Sequence, residues 1–156
     1  MKIKRAQVPD AQECWNIRNQ AIRHGCRHSY TTEVIAAWTP DTAPAGQSEV
    51  IAAFPFFVVE SECGQLIATG FLDVDAQRVE AVFTLPEYTG QGAASLILDA
   101  IKAEGRARGM AELRLSSTPN AQLFYEKHGF VSQGVRVYHS SLAQQDLRCI
   151  EMVLAL

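Results

Sequence analysis

Apolar residues recur along this chain at two periods, and the switches between them divide it into elements. "MKIKRAQ" alternates apolar and polar positions and predicts a first strand. Pro9 and Asp10 then open a helix over about Ala11–His24, with Cys14, Trp15, Ile17, Ala21 and Ile22 near helical spacing and Gly25 as its stop. "SYTTEVIAAW" predicts a short second helix capped by Thr31. "TPDTAPAGQSE" has no period and reads as a surface loop or one wall of a pocket. "FPFFVVE" (Phe54–Glu60) and "QLIATGFLD" (Gln65–Asp73) are strands joined by the glycine-containing "SECG", and "RVEAVFTL" (Arg78–Leu85) extends the meander until Pro86 ends it. Ala93, Leu96, Ile97, Ala100 and Ile101 mark the inward stripe of a long helix that runs to about Arg108 and stops at Gly109. "AELRLSS" is a strand, and its arrival after a helix implies a parallel crossover beside the Arg78–Leu85 strand. "TPNAQLFYEKHG" is a short helix ended by Gly129, and "FVSQGVRVYHS" and "QDLRCIEMVLAL" close the chain as two strands. The order β-α-α-β-β-β-α-β-α-β-β, free of repeats, predicts an α+β fold: about four helices on a mixed sheet of seven strands, in one domain over residues 1–156.

Composition narrows the function classes. A net charge of −3 and a pI near 5.8 leave no basic face for nucleic acid. The N-terminus "MKIKRAQVPD" is too polar for a secretory signal, and no apolar run approaches the ~20 residues of a membrane helix, so the expected location is cytoplasmic, with no membrane partner. Cys14, Cys26, Cys63 and Cys149 show no C-x-x-C spacing and no His pair accompanies them, which reads as four reduced thiols and no metal.

Candidate chemistry concentrates in "LPEYTGQGAASLILDAI" (Leu85–Ile101), where Gly90 and Gly92 stand directly before the long helix. The first N–H groups of a helix lack internal partners and its dipole adds positive character there, so this end attracts anions. Glycine permits close approach of the anion to the backbone. The N–H groups of Gly90, Gln91, Gly92, Ala93 and Ala94 are arranged to cradle a pyrophosphate; a tight strand-to-helix turn needing small residues is the plainer reading of the same G-x-G. No lysine follows to make a P-loop, and the glycines come too late for a dinucleotide fingerprint, with Ser95 in its third position.

Two motifs, in order and about thirty residues apart, give the chain a family resemblance. Val82–Leu96 matches a strand, P-x-Y, pyrophosphate loop and helix; Asn120–Phe130 matches "N-x-x-x-x-Y-E-K-x-G-F". Together they resemble the GNAT superfamily of acyl-CoA-dependent N-acetyltransferases, and by element order the resemblance covers nearly the whole chain. It implies a mostly antiparallel sheet whose central parallel strands splay apart, acetyl-CoA as the acyl donor, and a small-molecule or peptide primary amine as acceptor. The chain departs from the family at Thr89, where Arg or Gln is usual; losing that cation removes a charge-assisted contact of ~1.5–3 kcal/mol.

By matching position, the resemblance implies that Phe83, Thr84 and Leu85 offer backbone groups to the pantetheine arm, that Thr89 through Ala94 hold the pyrophosphate, and that Asn120 and Phe124 line the cofactor's other side, with core packing the alternative for Phe124. It makes Tyr125 the proton donor to the departing thiolate, ahead of Tyr138 and His128; a tyrosine that only packs is the alternative. Glu80 is the favoured general base: it lies on the strand expected to carry the acetyl group, and regular alternation places Glu80, Val82 and Thr84 on one face. A solvated strand carboxylate is the alternative, and His28 a weaker base. A backbone N–H near Thr84 is expected to meet the oxyanion. Asp73 and Asp75 either attract a cationic substrate or shape a turn. Tyr30 and Trp38 are candidates for the acceptor wall, Trp38 equally a core anchor. A CoA-binding sensor without catalysis, and a nucleotide-binding α/β protein, are the competing readings. The apolar closing strands leave a sheet edge at which a homodimer can form.

Overall fold

The computed structural model describes residues Met1–Leu156. Its strands are β1 (Lys2–Arg5), β2 (Phe56–Glu60), β3 (Leu66–Asp73), β4 (Arg78–Thr84), β5 (Glu112–Ser117), β6 (Val131–Ser140) and β7 (Gln145–Ala155). Its helices are α1 (Ala11–Gly25), α2 (Thr32–Trp38), α3 (Ala45–Ala53), α4 (Ala93–Ala107) and α5 (Gln122–Lys127). No helix is long and apolar enough to cross a membrane.

All seven strands join one sheet in the order β1-β2-β3-β4-β5-β7-β6. Only β4 and β5 run parallel. Helix α4 lies on one face, close enough that a side-chain carbon on Gly70 of β3 would collide with Ile97. Ile97, Leu98 and Ile101 of α4 are fully buried there with Leu72 and Leu113. The opposite face is covered by α1 and α2, where Ile22, Cys26, Val34 and Trp38 enclose a second cluster with Ala143 and Leu147 of the β6–β7 hairpin. Thr31 caps α2 as expected, its hydroxyl accepting the Val34 N–H at 3.2 Å. At the outer edge, β6 exposes Val131, Val135 and Val137.

The expected loop after Trp38 gives way to a fifth helix: α3 begins at Ala45, inside "TPDTAPAGQSE". Its sequence, AGQSEVIAA, buries only Ile51, so it has no apolar stripe to read. Pro44 precedes it in extended conformation and stands as its N-cap.

Strand β4 is not regular. Glu80 pairs with Phe71 of β3 and Phe83 pairs with Thr69, so β4 uses one more residue than its neighbour. This bulge places Ala81 at φ +54°, where the Thr69 hydroxyl donates to its carbonyl at 3.0 Å. Side-chain parity flips across it. Glu80 sits opposite Phe71 and Thr84 opposite Ala68, positions of opposite parity on β3. The expectation of one shared face for Glu80, Val82 and Thr84 is therefore wrong, because it assumed unbroken alternation. The bulge also bends β4 away from β5. The two strands pair only at Arg78↔Arg114, with the Arg114 N–H donating to the Gln77 carbonyl at 3.0 Å.

A half-buried network closes the base of the gap between β4 and β5. Arg78 of β4 donates to Glu151 of β7 at 2.8 Å and 3.2 Å and to the Ser116 hydroxyl of β5 at 2.6 Å; Ser116 in turn donates to Glu151 at 3.0 Å. Three strands are tied together at the point where two of them part.

Candidate active site

Beyond that anchor, the parted strands open a cleft of about 570 Å³. Residues Val79–Thr84 form one wall and Leu115–Thr118 the other; Ile22 of α1 and Cys26 just past its end, the start of α4, and Phe124 and Tyr125 of α5 complete it.

At its mouth the backbone is prepared for an anion. Gly90 and Gly92 adopt φ +76° and +93°, which a side chain resists. Nothing crowds either position, so conformation rather than space requires glycine here. The first bond into α4 is Leu96 N–H to the Gly92 carbonyl at 3.1 Å, and none of the N–H groups of Gly90, Gln91, Gly92, Ala93, Ala94 and Ser95 has an acceptor within the chain. Thr89 lines the cleft, but its hydroxyl donates to the Pro86 carbonyl at 2.9 Å. The Gln91 side chain folds back to the Glu87 carbonyl at 3.4 Å, leaving only its backbone for a ligand.

The β4 wall offers its own backbone, though not at every expected residue. Leu85 is 3% exposed; its N–H donates to Ile67 at 2.9 Å and its carbonyl accepts from Tyr88 at 2.9 Å. Both groups are occupied, so Leu85 has nothing to give a pantetheine arm. Because Leu85 points its N–H at β3, ladder alternation turns Phe83 the same way and Thr84 toward the gap. The Phe83 ring packs between the core and the Ile22 cluster. Val82, in the bulge and lining the cleft, was missed by the sequence reading. No single-residue signal marks it, since the bulge depends on Thr69 of another strand.

Tyr125 reaches the cleft from α5. It is 8% exposed, with its ring edge-on to Phe124 (centroids 5.2 Å apart) and to Phe130 (5.8 Å), and its hydroxyl makes no hydrogen bond within the chain. Burial, and secondarily the Glu80 charge, push its phenol well above the usual range, so it stays protonated. Glu80 lines the same cleft on the α1 side, with Arg78 at 3.5 Å. Burial raises its carboxyl above the usual range, and Arg78 works against that rise. Asn120 lies against the end of α1, its side-chain oxygen 3.5 Å from the Cys26 sulfur. Phe124 both lines the cleft and packs on Tyr125 and His128. His128 contacts the Ser95 hydroxyl at 3.0 Å, beside the phosphate cradle rather than beside Tyr125.

Other candidates lie elsewhere. Trp38 is 7% exposed in the second cluster and anchors α2, so it does not wall the cleft. Tyr30 stacks edge-on against it and donates to the Arg148 carbonyl at 2.7 Å. With exposed His28, Tyr30 borders a separate hollow against the start of β7. Asp73 accepts the N–H groups of Asp75 and Ala76, both at 3.0 Å, which is turn-making.

The sequence model of the acetyltransferase (GNAT) domain matches residues 26–152. The chain belongs to the GNAT acetyltransferase family. No curated protein matches it significantly by sequence. Solved GNAT structures share the fold at low identity. A GCN5-related N-acetyltransferase from Rhodopseudomonas palustris superposes with a TM-score of 0.89 at 18% identity, covering 99% of this chain and 95% of its own. PaiA N-acetyltransferase from Thermoplasma acidophilum, in complex with coenzyme A, gives 0.78 at 17% over 99% and 98%. A phosphinothricin acetyltransferase from Sinorhizobium meliloti, in complex with acetyl-CoA, gives 0.69 at 17% over 99% and 88%. In this GNAT chain the unpaired amides at α4 and the unpaired edge of β4 fit a cofactor with a diphosphate at one end and an amide-bearing arm at the other.

Proposed function

We propose that the protein transfers an acetyl group from acetyl-CoA to the primary amine of an acceptor. The observation that carries this is the convergence on one cleft of the acceptor-less amides from Gly90 to Ser95, the gap-facing edge of β4, and two acid–base side chains. The amides of Gly90 through Ser95 hold the diphosphate. Val82 and Thr84 bond the pantetheine arm as an added strand would, and Asn120 and Phe124 flank it. When bound, acetyl-CoA supplies an acyl group already activated as a thioester.

The chain's side chains manage the protons. At pH ~7.4 only about 0.1% of a lysine-like amine is neutral, a cost of roughly 4 kcal/mol. Glu80 takes the amine proton, directly or through water, and its raised pKa keeps it a useful base near neutrality. The Thr84 N–H faces the carbonyl oxygen as charge develops there. Tyr125, protonated throughout the working range, donates its proton to the departing sulfur.

The test is thiol release from acetyl-CoA across a panel of primary amines. Tyr125→Phe should lower kcat by about 10²-fold or more while its ring packing keeps Tm nearly constant. An unchanged kcat removes Tyr125 from the proton-donor role. Binding of acetyl-CoA without thiol release on any amine would favour a non-catalytic CoA-binding module, the reading that Thr89 in place of the usual Arg or Gln motivates.

A further inference from the structure

No lysine or arginine lines the cleft, and His24 is its only lining residue able to carry a positive charge. Thr89 stands where the family usually has Arg or Gln, and its hydroxyl is committed to the Pro86 carbonyl. A diphosphate in the cradle is therefore met by backbone amides and by one further group, the side chain of Ser95 in the first turn of α4. A histidine from the end of another helix reaches that side chain. His128 Nε2 lies 3.0 Å from the Ser95 hydroxyl. His128 follows α5 directly and is fixed on three sides. Its backbone N–H donates to the Tyr125 carbonyl at 3.0 Å, its carbonyl accepts from Lys102 Nζ at 2.8 Å, and its ring packs on Phe124 with centroids 4.6 Å apart. Its other ring nitrogen, Nδ1, has no hydrogen-bond partner in the chain. The charged groups that bear on the ring come from α4: Lys102 disfavours its cation and Asp99 favours it. Burial, with Lys102 second, holds the imidazole below its usual range, so the unliganded ring is neutral at pH ~7.4.

A hydroxyl has one proton, and this histidine decides where it points. When Nε2 is bare it accepts that proton, and Ser95 turns only lone pairs toward the cleft, which repel an anion. When Nε2 carries a hydrogen it donates to Oγ, and the Ser95 O–H is free to donate to a phosphate oxygen. The neutral ring exchanges between these two tautomers, because nothing holds Nδ1 in one of them. The imidazolium allows only the second, and it adds a positive charge behind the hydroxyl.

We propose that His128 is a positioning residue for the cofactor's diphosphate: it turns the Ser95 hydroxyl into a donor to the ligand, most completely when its ring is protonated. The proposal rests on the acetyl-CoA reading of the cleft and deepens it. A bound diphosphate favours the imidazolium, so the ring holds its proton to higher pH in the complex than in the free protein. The added affinity is full below the free protein's value and is lost as pH rises through that of the complex.

The experiment uses the full chain and dephospho-CoA, which keeps the diphosphate and lacks the 3′-phosphate monoester, a group that itself titrates near pH ~6. Its Kd is measured by calorimetry from pH ~5.5 to ~8.5, the range in which a histidine changes charge. In the wild type Kd should rise about 3- to 10-fold across that range, with protons taken up on binding. In His128→Gln, whose side-chain amide can still donate to Ser95 but does not titrate, the pH dependence should disappear, and Ser95→Ala should flatten it as well. A histidine that only packs on Phe124 would shift Kd equally at every pH when replaced, and that result overturns the proposal. So does a pH dependence that survives His128→Gln, which would belong to His24 or Glu80. If His128→Gln does not fold, NMR titration of the wild-type imidazole signals decides: the His128 pKa should rise on adding dephospho-CoA, and an unmoved value overturns the proposal. Binding that is tight but indifferent to pH removes this inference alone. If neither dephospho-CoA nor acetyl-CoA binds at any pH, the reading of the cleft falls and takes this one with it.

Discussion

Glu80 shows how far a single residue can be read before its neighbours are known. Its identity and strand were legible, and so was its candidacy as a base. Its face was not, because the bulge at Ala81 reverses the alternation that sequence reading relies on. The bulge moves Glu80 to the α1 side. Burial raises its pKa and the Arg78 charge only partly offsets this. A base works in its charged form, so activity should fall as pH drops through a value above the ordinary carboxylate range. Glu80→Gln should lower kcat/KM by about 10²-fold and remove that acid limb from the pH–rate profile. An acid limb that persists in Glu80→Gln assigns the base to another group. Tyr125 contributes no limb near neutrality, since its phenol is raised, not lowered. Its place in "FYEKHGF" was readable because α5 is short and local signals position it. Leu85 and Phe83, expected to serve the pantetheine arm beside Thr84, fail for a reason only the ladder reveals: their backbone groups turn toward β3, and both of those on Leu85 are already bonded.

At the scale of elements, strong periodic stripes were sufficient. Helix α4, with five apolar positions at helical spacing read from the sequence, runs Ala93–Ala107 as expected. The strands of the meander appear within a residue or two of their expected ends, as with β2 starting at Phe56 because Phe54 closes α3. Helix α3 was illegible because one buried residue makes no stripe. The gap between β4 and β5 depends on two opposed devices. The bulge drives the strands apart, and the Arg78–Ser116–Glu151 network holds them together at the base. Glu151 is held below the usual carboxylate range: burial opposes its charge, but the bonds from Arg78 and Ser116 prevail. Arg78→Met leaves that carboxylate, 16% exposed, without its cation. It should destabilise the fold by about 1–3 kcal/mol. For a chain of this length that is a fall in Tm of about 3–10 °C, read by scanning calorimetry. A Tm equal to the parent's would mean the network contributes nothing to stability.

For the whole molecule, ligand linkage provides the broadest check. Acetyl-CoA that binds only the folded state at about 100 times its Kd stabilises by ~2.7 kcal/mol, which should raise Tm by about 5–10 °C. A melting curve indifferent to millimolar acetyl-CoA would remove the phosphate cradle at α4, and with it the reading of the cleft. The order of the seven strands and of every helix but α3, the glycines ahead of α4, the cap at Thr31 and the family motifs were all determined by the sequence alone. Each rests on interactions among residues a few positions apart, which local spacing encodes. Only the tertiary structure decided that β4 bulges and parts from β5, that Trp38 is an anchor rather than a pocket wall, and that His128 meets Ser95. Those outcomes depend on which residues from distant stretches share a face. Thr69 sets the backbone of Ala81, the β6–β7 hairpin closes over α1, and the end of α5 brings His128 to the first turn of α4.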